Sequence, residues 1–258
     1  AFKLIEAGAE AGSDAIKFQT FKAESLVTKS AAKAEYQKQT TDLNESQFAM
    51  LKRLELNWNI YPELISYCEQ KGVEFLSTAF DQGSLDFLVH DLGLKTLKIP
   101  SGEMTNGPLL LAYARTGCDL IVSTGMATFA EVEQVLGLLA YGLLTIEESN
   151  LNPSFAAFQE AFHSVQGQKL LQEKVTLLHC TTEYPAPFED INLNAMITMR
   201  NSFGLKIGYS DHSEGITVPI AAAALGAKFI EKHFTLDKAL SGPDHQASLD
   251  PKELKEMI

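Results

Sequence analysis

The feature that most constrains this chain is a repeated beat: a short apolar run, polar residues at its end, then a stretch with helical spacing. Strand-like runs are predicted at residues 15–19, 74–78, 97–99, 120–123, 175–180, 206–209 and 229–234. Helical periodicity is predicted over 47–56, 62–71, 84–91, 109–116, 130–141, 194–203 and 216–225, and residues 2–12 open the chain as a helix ending on glycine. Strands alternating with helices make parallel βα units, and short apolar strands suit a sheet whose outer face is covered by helices. The expected fold is α/β, a TIM (β/α)8 barrel. A doubly wound open sheet is the runner-up, and no glycine-rich dinucleotide fingerprint supports it. Seven strands after an opening helix leave an eight-stranded barrel one short. The first strand, upstream of Ala1, and the end of the last helix, beyond 251–258, are therefore expected to be missing from this sequence.

The 258 residues suit one such barrel, which typically needs about 250. Residues 1–258 are read as a single barrel domain with an insertion at about 145–174, polar and partly helical, packed on the outside. Its His163 is read as structural. The polar stretch 22–44 is too long for a simple connection and is a candidate functional loop. No apolar run approaches the roughly 20 residues of a membrane span, and no leader pattern is present, so a soluble protein with no membrane contact is expected. Thirty-three acidic residues against 21 basic ones give a formal charge of −12, which argues against nucleic-acid binding. Inward lysines can still oppose that mean field locally and hold small anions. Cys68, Cys118 and Cys180 are widely spaced, form no CxxC pair, and suggest reduced thiols and a cytoplasmic location.

The chemistry gathers just after the strands, at positions that converge on one rim of a barrel. Lys17 and Lys98 stand at strand ends, where an inward ammonium is costly unless an anion or carboxylate meets it. Three readings stay open for them: recognition of phosphate and carboxylate groups, pairing with neighbours such as Glu103, or a Schiff-base lysine. Ser101, Ser123, Thr182 and Ser210 offer neutral donors to an anion, or serve as ordinary turn and cap residues. His212 and His233 end consecutive strands, as an open divalent-metal site or as hydrogen-bonded rim histidines. His179 is read as core. Asp244, on the loop after the last strand, can hold sugar hydroxyls or stabilise its turn. Glu103 is the candidate proton-handling carboxylate, compatible with an ion pair to Lys98.

Eight strings, AIKFQTFKAE (15–24), FLSTAFD (75–81), KIPSGE (98–103), STGMAT (123–128), LHCTTEYPAPFEDINL (178–193), GYSDHSEG (208–215), GAKFIEKHFTLDK (226–238) and GPDHQASL (242–249), resemble the sialic-acid synthase family in family order. That family includes synthases of N-acetylneuraminate, legionaminate and pseudaminate; the 181–190 string and the insertion look closest to the N-acetylneuraminate and legionaminate branches. The resemblance implies a barrel that condenses phosphoenolpyruvate with an open-chain N-acylmannosamine-type amino sugar, releasing phosphate. It implies a divalent metal, Mn2+ with Mg2+ or Co2+ as alternatives, on His212 and His233. It places Lys17, Lys98, Ser101, Ser123 and Ser210 on phosphoenolpyruvate, with Thr182 where some members carry asparagine. Gln19, Tyr184 and Asp244 match sugar-binding positions, and Glu103 an active-site carboxylate. Glu103, Lys98 and His233 are the candidate catalytic residues. A homodimer is implied by the family alone. Two family features find no match here: an opening asparagine-histidine motif with its glutamate, and a C-terminal antifreeze-like domain. The rival functions are a Schiff-base aldolase using Lys98 and a non-catalytic barrel that binds sugar or phosphate.

Overall fold

The computed structural model of the chain describes residues 1–33, 37, 41, 45–148 and 152–258. Parts of the predicted 22–44 loop and three residues of the 145–174 insertion lie outside them. Among the described residues seven parallel strands pair in sequence order: β1 (Ala15–Thr20), β2 (Glu74–Ala79), β3 (Thr96–Ile99), β4 (Asp119–Ser123), β5 (Val175–Cys180), β6 (Lys206–Asp211) and β7 (Ile230–Lys232). Laid flat, such a sheet would separate its outer strands by about 29 Å, six spacings of about 4.8 Å. Instead Lys17 Nζ of β1 lies 3.1 Å from Glu231 Oε2 of β7. The sheet is rolled until its two edges face each other.

Period-two alternation sorts the strands into faces. Leu76, Ile121 and Leu178, with Ala15 and Phe229 packed on them, form an apolar floor inside the roll. Two residues further along those same strands stand Thr78, Ser123, Cys180, Lys17 and Glu231. Register adds Lys98 beside Thr78 and Ser210 beside Cys180. Every strand thus contributes one side chain to a polar layer directly above the floor. The other face carries Phe75, Leu97, Ile99, Val122, Leu177, Ile207 and Tyr209 into the main core against the helices.

Helices lie between the strands, as right-handed βα crossovers require. Phe129–Leu144 starts on a capping box, Thr128 accepting from Glu131 N–H while the Glu131 carboxylate accepts from Thr128 N–H. The insertion holds two helices, Phe155–His163 and Val165–Lys174, capped by Ser154 and Ser164. They pack against Phe129–Leu144, where Gly137 admits the Phe158 backbone so closely that a Cβ there would stand 2.8 Å from its carbonyl oxygen. His163 is exposed at the end of its helix. The last strand is shorter than its apolar run: β7 ends at Lys232, and Phe234 forms an isolated bridge to Leu249. The predicted helix at 84–91 is a short α-helix, Gln82–Asp86, continued by a π-helical turn, Phe87–Asp91. All three cysteines are free and buried. Among the described residues no helix is long and apolar enough to cross a membrane.

Candidate active site

The polar layer is centred on a carboxylate. Glu231 Oε2 lies 3.1 Å from Lys17 Nζ, and its Oε1 lies 3.8 Å from Lys98 Nζ and accepts from Ser210 Oγ at 2.7 Å. Lys98 also donates to the Ile99 carbonyl at 2.9 Å. Burial alone would raise the Glu231 carboxyl, but Lys17, Lys98 and the Ser210 hydroxyl outweigh it and hold it well below the usual carboxylate range. Burial lowers Lys98 to about 8, against the attraction of Glu231 and with the help of Lys17. The cluster sets two lysines against one carboxylate. One positive charge is left over inside a protein of net charge −12, the arrangement that attracts a compact anion.

Neutral donors surround that surplus. The Ser123 and Thr78 hydroxyl oxygens are buried with no hydrogen-bond partner among the described residues. Ser101, Thr182 and Cys180 meet around Gly125: its N–H donates to Cys180 Sγ at 3.0 Å, and a Cβ on it would stand 2.3 Å from Ser101 Cβ and 2.8 Å from Thr182 Oγ1. Gly125 has φ +50°, so both its conformation and its crowding require glycine. A cavity of about 570 Å³ opens between β1 and β7, with Lys17, Gln19, Lys98, Glu231, His233 and Asp244 among its lining residues.

The two rim histidines do meet. Their ring centroids are 5.4 Å apart, and Tyr184 touches both, stacked on His212 at 4.1 Å and edge-on to His233 at 5.3 Å. His212 Nδ1 faces the Thr181 carbonyl at 2.6 Å, and Nε2 faces the Tyr184 hydroxyl at 3.1 Å. The carbonyl requires Nδ1 to carry the proton, which leaves Nε2 its lone pair. Burial lowers His212, and burial with the neighbouring His212 and Lys17 charges lowers His233 to about 3. Both rings are therefore neutral at pH 7, the form that binds a metal. His233 Nδ1 lies 3.8 Å from Asp244 Oδ2, and burial raises the Asp244 carboxyl. Among the described residues no group of three or more His, Cys, Asp or Glu side chains converges as a closed cage. The donor set fits an open position held by two imidazoles.

The structure brings Lys17, Lys98, Ser123, Ser210 and His233 together, with Ser101, Thr182, Tyr184, His212, Gln19 and Asp244 around them. It does not pair Glu103 with Lys98. Glu103 lies on the turn Ser101–Glu103, beyond β3, where its Oε2 accepts from Asn106 Nδ2 at 2.7 Å. The chain runs on extended through Pro100 and turns only at Ser101–Glu103, so neighbours in sequence part company, and Lys98 pairs across the roll with Glu231 instead. Sequence reasoning missed Glu231. The signal was in the string FIEKH, whose alternation sets Phe229, Glu231 and His233 on one face. His179 is half-buried on the other face of β5 and bonds to the Ile191 carbonyl at 2.7 Å, in keeping with a packing role.

An α/β sheet rolled on itself, with two lysines in its inward polar layer and a histidine pair just past the ends of β6 and β7, defines a barrel-type architecture with its polar groups gathered inside the roll. The profile of the NeuB family matches residues 4–258. The chain belongs to the NeuB family. It is 47% identical over 253 residues to the N,N'-diacetyllegionaminic acid synthase of Campylobacter jejuni, matching 98% of this chain and 68% of that protein. It is 44% identical to the enzyme of the same name from Legionella pneumophila, over 99% of this chain and 65% of that protein. The chain thus spans about two thirds of the curated relatives it matches. Among solved structures, the N-acetylneuraminic acid synthetase of Leptospira borgpetersenii superposes with a TM-score of 0.76 at 30% identity, over 99% of this chain and 74% of that one.

Proposed function

We propose that the chain is the catalytic barrel of a nonulosonic acid synthase, joining phosphoenolpyruvate to the open-chain aldehyde of an N-acylated amino sugar and releasing phosphate. The observation that carries this reading is the net positive Lys17–Glu231–Lys98 cluster lying beside two neutral histidines. The relatives named above favour a diacetylated sugar of the legionaminate type. The rolled sheet is read as that of a (β/α)8-type barrel, in line with the solved neighbour. A homodimer belongs to this reading through the family resemblance, and a cytoplasmic location through the three free, buried cysteines.

Lys17 and Lys98 hold the two anionic groups of phosphoenolpyruvate, with Ser123, Ser101, Thr182 and Ser210 as neutral donors. Gln19, Tyr184 and Asp244 hold the sugar so that its aldehyde carbon faces carbon 3 of the enol. A divalent cation, Mn2+ in the first instance, held by His212 and His233 would supply Lewis acidity at the aldehyde oxygen. Carbon 3 attacks the aldehyde carbon, water adds at the cationic carbon 2, and the resulting tetrahedral carbon expels phosphate. Glu231, ionised, keeps both ammonium groups aimed at the cavity before substrate arrives. The protein's contribution is positioning and preorganised charge, which needs no reorientation during the reaction. Glu103 is proposed to handle the proton of the attacking water; Glu103→Gln with undiminished turnover would remove it from that role.

One observation favours a second reading, a Schiff-base aldolase: Lys98, lowered to about 8, yields a neutral amine more readily than an ordinary lysine. The two part on a single assay. Phosphate released from phosphoenolpyruvate only with a diacetylated amino sugar and Mn2+ supports the synthase. No release, with borohydride trapping pyruvate on Lys98, supports the aldolase.

A further inference from the structure

His212 and His233 lie one residue beyond the point where the β6–β7 ladder stops, since the last paired residues are Asp211 and Lys232. Backbone pairing therefore does not carry on to set the spacing of the two rings. Each histidine carbonyl goes to a different neighbour: Ala186 N–H donates to His212 O and Leu249 N–H to His233 O, each at 2.9 Å. What joins the two positions is a sealed ion pair. Lys232 Nζ reaches Asp211 Oδ2 at 2.5 Å, with side chains 2% and 0% exposed. Asp211 Oδ1 accepts from both Ser213 N–H at 2.9 Å and Ser213 Oγ at 2.7 Å, and Lys232 also donates to the Ser213 carbonyl. One carboxylate thus ties the residues on both sides of His212 to each other and to the residue before His233.

We propose that the Asp211–Lys232 pair, with Ser213, is a positioning device that sets the separation at which His212 and His233 present their ring nitrogens to a divalent cation; this rests on the two-histidine reading above. A pair that only stapled two strands would have no need of the second carboxylate oxygen, which here is spent on the turn around His212. The pair touches neither substrate nor metal in this scheme. It acts through backbone placement, as outer-shell partners of metal ligands do.

The test is Mn2+ binding to the full chain, followed by the paramagnetic signal of free aqua-Mn2+, in wild type, His212→Ala, Lys232→Met, Lys232→Arg and Asp211→Asn. Lys232→Met and Asp211→Asn should weaken Mn2+ binding by about ten- to a hundredfold, the usual effect of losing an outer-shell partner. Lys232→Arg should recover most of it, and near-UV circular dichroism should stay native. If Lys232→Met does not fold, Asp211→Asn carries the test, because its amide oxygen can still accept from Ser213. Folded variants with unchanged Mn2+ affinity overturn the inference and leave the two-histidine reading standing. A wild-type chain that takes up no Mn2+, or one whose uptake survives His212→Ala, overturns the two-histidine reading and this inference with it.

Discussion

Strand β7 carries two charged residues in succession, and they live in opposite worlds. Glu231 faces the cavity, shared by two lysines that outnumber it, with the Lys17 side chain still a quarter exposed. Lys232, on the other face, meets a single aspartate in a sealed pocket where every charge and every hydrogen-bonding atom of the carboxylate is matched. The first arrangement leaves more lysines than carboxylates, which is what the proposed function uses to hold an anion. The second is closed and can only hold its surroundings in place. The same strand supplies both because successive side chains point to opposite faces. Whether an ion pair is balanced, rather than whether it is buried, separates a binding site from a brace.

That contrast breaks most visibly in stability. Lys232→Met strands the Asp211 carboxylate in a dry pocket, and urea unfolding should show a loss of about 3–5 kcal/mol, the cost of orphaning one half of a buried pair. Lys98→Met should unfold near the wild-type midpoint, because Glu231 keeps Lys17 and Ser210. Its kcat/KM for phosphoenolpyruvate should instead fall by about 100- to 1,000-fold, as for loss of a preorganised electrostatic contact. Equal stability losses in the two variants would erase the distinction.

A milder test uses pH. Lys98 sits at about 8, below an ordinary lysine, so its positive charge is present below that pH and lost above it. The KM for phosphoenolpyruvate should rise by up to about tenfold per pH unit above that point, while kcat at saturation changes less because the bound anion restores the proton. A KM that stays flat well above that pH would take Lys98 off the substrate. Smallest is Ser123→Ala. Its hydroxyl is buried and unpartnered, so removing it should leave the unfolding midpoint level or raised. Binding of phosphoenolpyruvate should weaken by about 1 kcal/mol, one neutral hydrogen bond.

Much of this contrast can be read from the chain before folding, but not all of it. Val175–Cys180 is strand in both pattern and structure, because its apolar run is bounded by a helix and by polar rim residues. The βα beat marks Lys17, Lys98, Ser123, Ser210 and His233 as candidates, since each lies in or just past a short apolar strand; Lys17 stands mid-strand in β1, and Ser123 and His233 stand where their strands stop. Glu231 escaped notice because it precedes a lysine and a histidine in a charged string, and only alternation separates the residue facing inward from the one facing out. The Glu103–Lys98 pairing fails for the converse reason: closeness along the chain is not closeness in space, and the turn Ser101–Glu103 carries the carboxylate away from the strand. The rolling of the sheet belongs to neither kind of local signal. It depends on the summed twist and tilt of seven strands, which no single segment encodes.

That rolling has a consequence for how the site comes into being. Lys17 and Glu231 touch, yet nearly the whole length of the chain separates them. Contacts of such long range are made late in folding, after the loops between them have given up their freedom. The proposed anion site therefore cannot assemble before β1 and β7 are both in place, and a ribosome-bound chain has none of it until β7 has emerged. An anion that bridges β1 and β7 binds the finished roll and not its precursors, so it also acts as a clasp, drawing the folding equilibrium toward the closed form.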